Sequence, residues 1–116
     1  MKGNKSFALG RLKTGAMNAT EAEYARDLEL LKAAGDVAWY RFEGFKLRLA
    51  DNTFYTPDFA VMLSNGEFQC HEVKGFWTDD ARVKIKVAAE MYPIRFMAVK
   101  KQPKKLGGGW VTEAFE

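Results

Sequence analysis

The chain of 116 residues is poor in several things that would assign a protein to a class, and each shortage excludes something. Its one cysteine, Cys70, cannot form an internal disulfide, which suits a reducing compartment. With one cysteine and one histidine, His71, it also lacks the ligands of an ordinary zinc site. Apolar runs such as "FAVML" fall far short of the roughly 20 residues of a membrane helix, and the N-terminus has no apolar signal-peptide core. No repeat or low-complexity tract is present. The expectation is an intracellular, soluble protein with no membrane partner.

The apolar share of 47%, with 14% aromatic, is enough for one core, so one domain is expected. The formal charge of +3 is unevenly spread. Residues 1–20 contain Lys2, Lys5, Arg11 and Lys13 and no acid, and Lys100, Lys101, Lys104 and Lys105 cluster near the other end. Both ends suit a polyanion such as nucleic acid, although basic ends also serve solubility alone.

Residues 1–18 show no sustained period and read as a basic arm. A helix follows, with Asn18 or Thr20 as N-cap, Glu21, Tyr24, Ala25, Leu28 and Leu31 on one face, and Gly35 as its stop. From Val37 the residues turn aromatic and β-branched, and "FKLRL" alternates, so strands are expected at about 37–43 and 45–49, with "ADNT" as a turn. A hairpin occupies Tyr55 to Gly75. Thr78 or Asp79 then caps a second helix that Pro93 ends, and "IRFMAV", Ile94 to Val99, is another strand. After "GGG" at 107–109, "WVTEAF" is a short edge strand or a docked tail. The expected fold is α/β in the broad α+β sense: a central mixed sheet of about five strands flanked by helices. Its divisions are an arm at 1–18, a core at 19–100 and a basic, Gly-rich C-terminal tail at 101–116.

The hairpin "YTPDFAVMLSNGEFQCHEVKG" is apolar enough to be buried, yet it carries Asp58, Glu72 and Lys74. Glu72 and Lys74, two apart on a strand, share a face with Phe68 and Cys70. The face of Asp58 depends on the loop. A two-residue Asn65-Gly66 turn pairs Phe59 with Glu72 and sends Asp58 to the opposite face; a three-residue loop, Ser64 to Gly66, pairs Asp58 with Glu72. Both registers are open, and Gly66 suits the left-handed position the second one needs. In that register two neighbouring carboxylates repel, and a divalent cation relieves them. All-oxygen ligands favour magnesium or manganese, and Lys74 can neutralise charge building on a phosphate. Such a set would hydrolyse a phosphodiester. The competing interpretation is a salt bridge between Lys74 and the acids.

"PD" at 57–58 and "EVK" at 72–74 resemble the signature of the PD-(D/E)XK nuclease superfamily. The surroundings, "FYTPDF", "NGEF", "EVKGFW", then "DD", "R" and a helix ending at "YP", resemble the phage endonuclease I group of Holliday-junction resolvases from Thr20 to Val99, with one small length change. The resemblance implies a PD-(D/E)XK core. It implies a catalytic and metal-binding set of Glu21, Asp58 and Glu72 with Lys74 as the fourth catalytic residue, dependence on magnesium with manganese as substitute, and a homodimer acting on branched DNA in a phage-infected host's cytoplasm. Related resolvases exchange strands between subunits. This chain is shorter at its C-terminus than that family.

Glu21 also stands one turn before Tyr24 and Ala25 on the inward stripe, although acids in a first turn commonly serve as caps. Arg82 and Lys86, four apart, can grip a phosphate strand, with Lys84 on the other side of that helix. Lys5, Arg11, Lys13, Lys100 and Lys101 complete the expected DNA contacts. Cys70 reads as a core residue, and His71 faces away from the chemistry. Trp39, Phe45 and Trp110 are candidates for a dimer contact. The alternatives to a resolvase are a non-catalytic nucleic-acid-binding protein and a nicking nuclease without junction selectivity.

Overall fold

Asn18 has an extended backbone, and its side-chain oxygen accepts the Glu21 N–H at 2.8 Å while Glu21 Oε1 accepts the Asn18 N–H at 2.9 Å. This reciprocal box opens α1 (Ala19–Ala33), so Asn18 and not Thr20 is the cap. At the far end Gly35 takes φ +92°, and the Gly35 and Asp36 amides donate to Lys32 and Leu31 carbonyls at 3.1 and 2.9 Å. Only a residue tolerant of the left-handed region closes the helix this way without strain. Tyr24 and Leu28 are buried as their spacing predicts, whereas Leu31 is 43% exposed.

The computed structural model describes residues 15–75 and 77–115. Its main sheet contains β1 (Val37–Phe42), β4 (Phe59–Leu63), β5 (Phe68–Lys74), β6 (Arg95–Lys101) and β7 (Trp110–Phe115) in the order β1-β4-β5-β6-β7. β5 and β6 run parallel, joined through α2 (Asp79–Met91), and the other pairs are antiparallel. The expected mixed five-stranded sheet with flanking helices is therefore present. β4 and β5 lie inside the sheet and carry apolar residues on both faces. Phe59, Val61 and Val73 pack with Tyr24 and Leu28 of α1, whereas Cys70, Phe96 and Ala98 pack with Ile85 and Ala88 of α2.

The strand expected at 45–49 forms away from this sheet. β2 (Leu47–Ala50) pairs with β3 (Thr53–Tyr55) in a separate two-stranded hairpin, turned at Asp51 and Asn52, with Asn52 at φ +55°. Leu47 and Tyr55 reach from it into the α2-side core. Alternation announces a strand but carries no information about which edge it joins.

Of the two readings of "WVTEAF", the edge strand is the one that forms: β6 continues to Lys101, and β7 is the fifth strand of the main sheet, with Phe96 opposite Phe115. Burial of Phe115 and packing of Trp110 edge-on to Tyr24 at 5.1 Å anchor both ends of β7. Arg82 of α2 fastens it further, donating to both carboxylate oxygens of Glu113 at 3.3 and 3.0 Å, with its guanidinium 5.3 Å from the Phe115 ring centre. Arg82→Ala should therefore cost about 1 kcal/mol of stability, seen as a melting temperature lower by several degrees.

Candidate active site

The hairpin loop decides whether a site exists. Leu63 N–H donates to the Glu67 carbonyl at 2.9 Å, Gly66 N–H to the Leu63 carbonyl at 2.9 Å, and Asn65 Oδ1 accepts the Glu67 N–H at 2.9 Å. Gly66 sits at φ +94°. The loop is thus the three-residue Ser64–Asn65–Gly66, and the ladder that follows pairs Phe59 with His71 and Met62 with Phe68. Continuing it by one step puts Asp58 opposite Glu72. Of the two registers the sequence allows, this is the one that places both carboxylates together.

Glu72 and Asp58 are buried, at 8% and 7% exposure, where β4 begins and β5 and β6 end. Ligands of sheets with parallel strands gather at such carboxyl ends. Glu72 Oε1 accepts the Tyr55 hydroxyl at 2.8 Å and the Asp58 N–H at 3.3 Å, and its Oε2 lies 3.6 Å from Lys74 Nζ. Asp58 Oδ2 accepts the Val73 N–H at 2.8 Å. Burial, then the Glu72 charge, pushes the Asp58 carboxyl up to about 8; the Val73 N–H and Lys74 only partly offset this. Burial also raises Glu72, against the hydrogen bond from Tyr55 and the charge of Lys74. The metal-free pair therefore retains a proton near neutral pH.

Glu21 reaches this cluster only in part. α1 covers the face to which Val73 points, whereas Glu72 and Lys74 point to the α2 face. The Glu21 charge contributes to raising the Asp58 carboxyl, so the two acids feel each other, but Glu21 Oε1 is engaged by the Asn18 cap. Capping, the plainer reading of this residue, is realised. Among the described residues no three His, Cys, Asp or Glu side chains are arranged to hold a metal. The Asp58–Glu72 pair alone fits a hard divalent cation: two buried carboxyls, both raised by burial and Asp58 also by the Glu72 charge, with oxygen donors only. Magnesium commonly binds through one or two carboxylates and keeps several waters, so a third protein ligand is not required.

The expected DNA contacts separate. Lys5, Arg11 and Lys13 lie outside the described residues. Arg82 is occupied by Glu113 and Lys101 by Glu23 at 2.7 Å, while Lys86 and Lys100 are exposed. Lys100 stands beside Lys74 in the β5–β6 register and is the one nearest the acids in the sheet. Lys84, expected to face elsewhere, lines an open cleft of about 320 Å³ with Tyr55, Thr56, Glu72, Lys74 and Asp80. The signal was available in the 80, 84 spacing that puts Lys84 above the first turn of α2, but only the position of the β2–β3 hairpin makes that face a cleft wall.

Cys70 is buried in the α2-side core, with its thiol pushed up to about 12 by burial and the Glu72 charge, as a structural cysteine should be. His71 points to the α1 face, where Nδ1 meets the Tyr24 hydroxyl at 2.7 Å and Nε2 meets Gln69 Oε1 at 2.8 Å. A proton on Nε2 alone satisfies both contacts, and burial lowers its pKa to about 4. Trp110 hydrogen-bonds Asp27 and Phe45 packs against the core, which leaves Trp39, 43% exposed, as the available one of the three aromatics assigned to a dimer contact. No helix among the described residues is long and apolar enough to cross a membrane. Comparison with protein-family models, curated proteins and solved structures finds no match.

Proposed function

We propose that this protein is a magnesium-dependent endonuclease of the PD-(D/E)XK kind that hydrolyses phosphodiester bonds of branched DNA, four-way junctions in particular. The observation that carries the chemistry is the Ser64–Gly66 loop register, which sets Asp58 opposite Glu72 with Lys74 two residues further on the same face. Asp58 and Glu72 would hold the cation, with manganese able to substitute. A bound divalent ion supplies Lewis-acid stabilisation of phosphoryl charge and makes water more acidic. Lys74, 40% exposed at its side chain and tethered to Glu72, is placed to donate to the phosphoryl oxygens as they gain charge. Tyr55 holds Glu72 in position, and burial excludes bulk water from the acids. Glu21 bears on the site through its charge on Asp58.

Selectivity for junctions rests on the resemblance of Thr20–Val99 and on symmetry. Each chain offers one site, whereas a junction is resolved by two matched cuts, so a two-fold homodimer is the matching assembly. Sedimentation should give a mass near twice 13.1 kDa. The deciding assay compares a synthetic four-way junction with its linear duplex arms, in magnesium and in chelator. Paired cuts in the junction, abolished by chelator, support the proposal. Equal nicking of both substrates by a monomer would make it a nicking nuclease. Binding without cleavage in magnesium at any protein concentration would favour a second reading, a nucleic-acid-binding protein, in which Tyr55 and Lys74 satisfy Glu72 without a metal.

A further inference from the structure

We infer that the cleft between the β2–β3 hairpin and α2 is a backbone subsite, in which Lys84 and Thr56 hold the phosphodiester next to the one that is cut. This rests on the nuclease reading and names where the substrate strand lies. The cleft reaches the acid pair at Glu72: Glu72 and Lys74 line it, Tyr55 and Thr56 form the hairpin wall, and Asp80 and Lys84 form the helix wall. Its volume of about 320 Å³ lies at the small end of the range for ligand pockets and suits a short piece of one strand.

Lys84 does not trail into solvent like an ordinary surface lysine. Its Nζ lies 3.5 Å from the Phe54 carbonyl across the cleft, at the outer limit of a hydrogen bond. So weak a tie draws the ammonium over the cleft and is readily given up to a phosphate, whose charge-assisted bond is stronger. Arg82, by contrast, is held in a bidentate pair with Glu113 and stacked on Phe115. The cleft balances two acids, Glu72 and Asp80, with two lysines, Lys74 and Lys84, so a cation held by the acid pair would turn it positive and attractive to a phosphate. Thr56 is exposed on the facing wall and adds a hydroxyl donor of the kind that positions nucleic-acid backbones. An alternative role for Lys84, strapping the hairpin to the helix, would affect melting and leave salt dependence alone.

The test measures binding of the whole chain to a fluorescent four-way junction in calcium, between about 50 and 200 mM salt, and single-turnover cleavage in magnesium. Lys84→Ala should bind about 5- to 10-fold more weakly at the low-salt end and lose about one from the slope of log affinity against log salt. Its cleavage rate at saturating DNA should stay within about threefold, since a ground-state contact lowers affinity more than turnover. Lys84→Arg should restore the slope. Lys32→Ala, which removes an exposed charge from the end of α1, should keep it. A wild-type slope in Lys84→Ala, or an equal loss in Lys32→Ala, overturns the subsite. If the wild type binds but never cuts while Lys84→Ala still loses slope, the nuclease reading fails and the backbone site stands. If the wild type neither binds nor cuts, both fail.

Discussion

Lys74→Ala should cleave DNA about 100- to 1,000-fold more slowly than wild type in a single-turnover assay, with affinity in calcium changed by less than about threefold. The size follows from the kind of interaction lost. A donor aimed at charge that develops only in the transition state is typically worth two to three orders of magnitude in rate and little in binding. The side chain lies at the mouth of the site, with Nζ 3.6 Å from Glu72 Oε2, so its removal opens no core cavity and should leave melting nearly unchanged. Loss of its charge also removes one of the influences holding Glu72 down, so the pH at which magnesium restores activity should move upward in this variant. Lys74→Arg keeps the charge but not the compact ammonium, and partial rescue is expected. A Lys74→Ala variant that cuts like wild type would reduce Lys74 to a structural partner of Glu72.

Asp58→Asn should abolish cleavage and at the same time stabilise the metal-free protein. Asp58 and Glu72 are carboxyls raised in the fold above their unfolded values by burial, Asp58 also by the Glu72 charge. The folded state therefore holds a proton that the unfolded chain has released, and stability falls as pH rises from the ordinary carboxylate range toward about 8. His71 has the opposite sign: its folded pKa is lowered to about 4, so its contribution is lost as pH falls below about 6.5. Between pH 6.5 and 8 only the carboxyl pair acts among these three. In that window the apo wild type should lose up to about 2 kcal/mol, one proton over one and a half pH units. Asp58→Asn should be much flatter there, because the carboxyl that titrates toward about 8 is gone while the amide oxygen still accepts the Val73 N–H. Millimolar magnesium should restore stability at pH 8 in the wild type and not in the variant. Thermal melts at both pH values, with and without magnesium, read all of this. A wild type whose stability rises over the window would show that the acids are not held together as described.

Much of this site is visible in the sequence because chain-local rules govern it. Glu72 and Lys74 share a face by strand parity alone, and β5 is a strand over both of them. Asp58 was legible as one of two registers, decided by whether Ser64 joins the turn. Spacing puts Glu21 on the inward side of α1, where it is buried, but its distance from Asn18 serves two purposes, and the cap claims one oxygen. The role of Tyr55 is not legible in the sequence, because nothing local announces that a tyrosine three residues before an aspartate will send its hydroxyl to a glutamate 17 residues downstream.

What the residues determined by themselves were the elements: α1 from its capping box and Gly35, the hairpin from Asn65-Gly66, and α2 from Thr78 to the turn before Pro93. These depend on backbone hydrogen bonds and side-chain periods within a few residues, which a linear reading can see. Only the tertiary structure decided that β2 and β3 leave the main sheet to wall a cleft, that β7 completes the sheet, that Arg82 serves Glu113, and that Lys84 hangs over the site. Each of those outcomes joins residues more than 25 positions apart or chooses between sheet edges of equal local merit. Such choices are made by which apolar surfaces can be buried together, and that is a property of the assembled core.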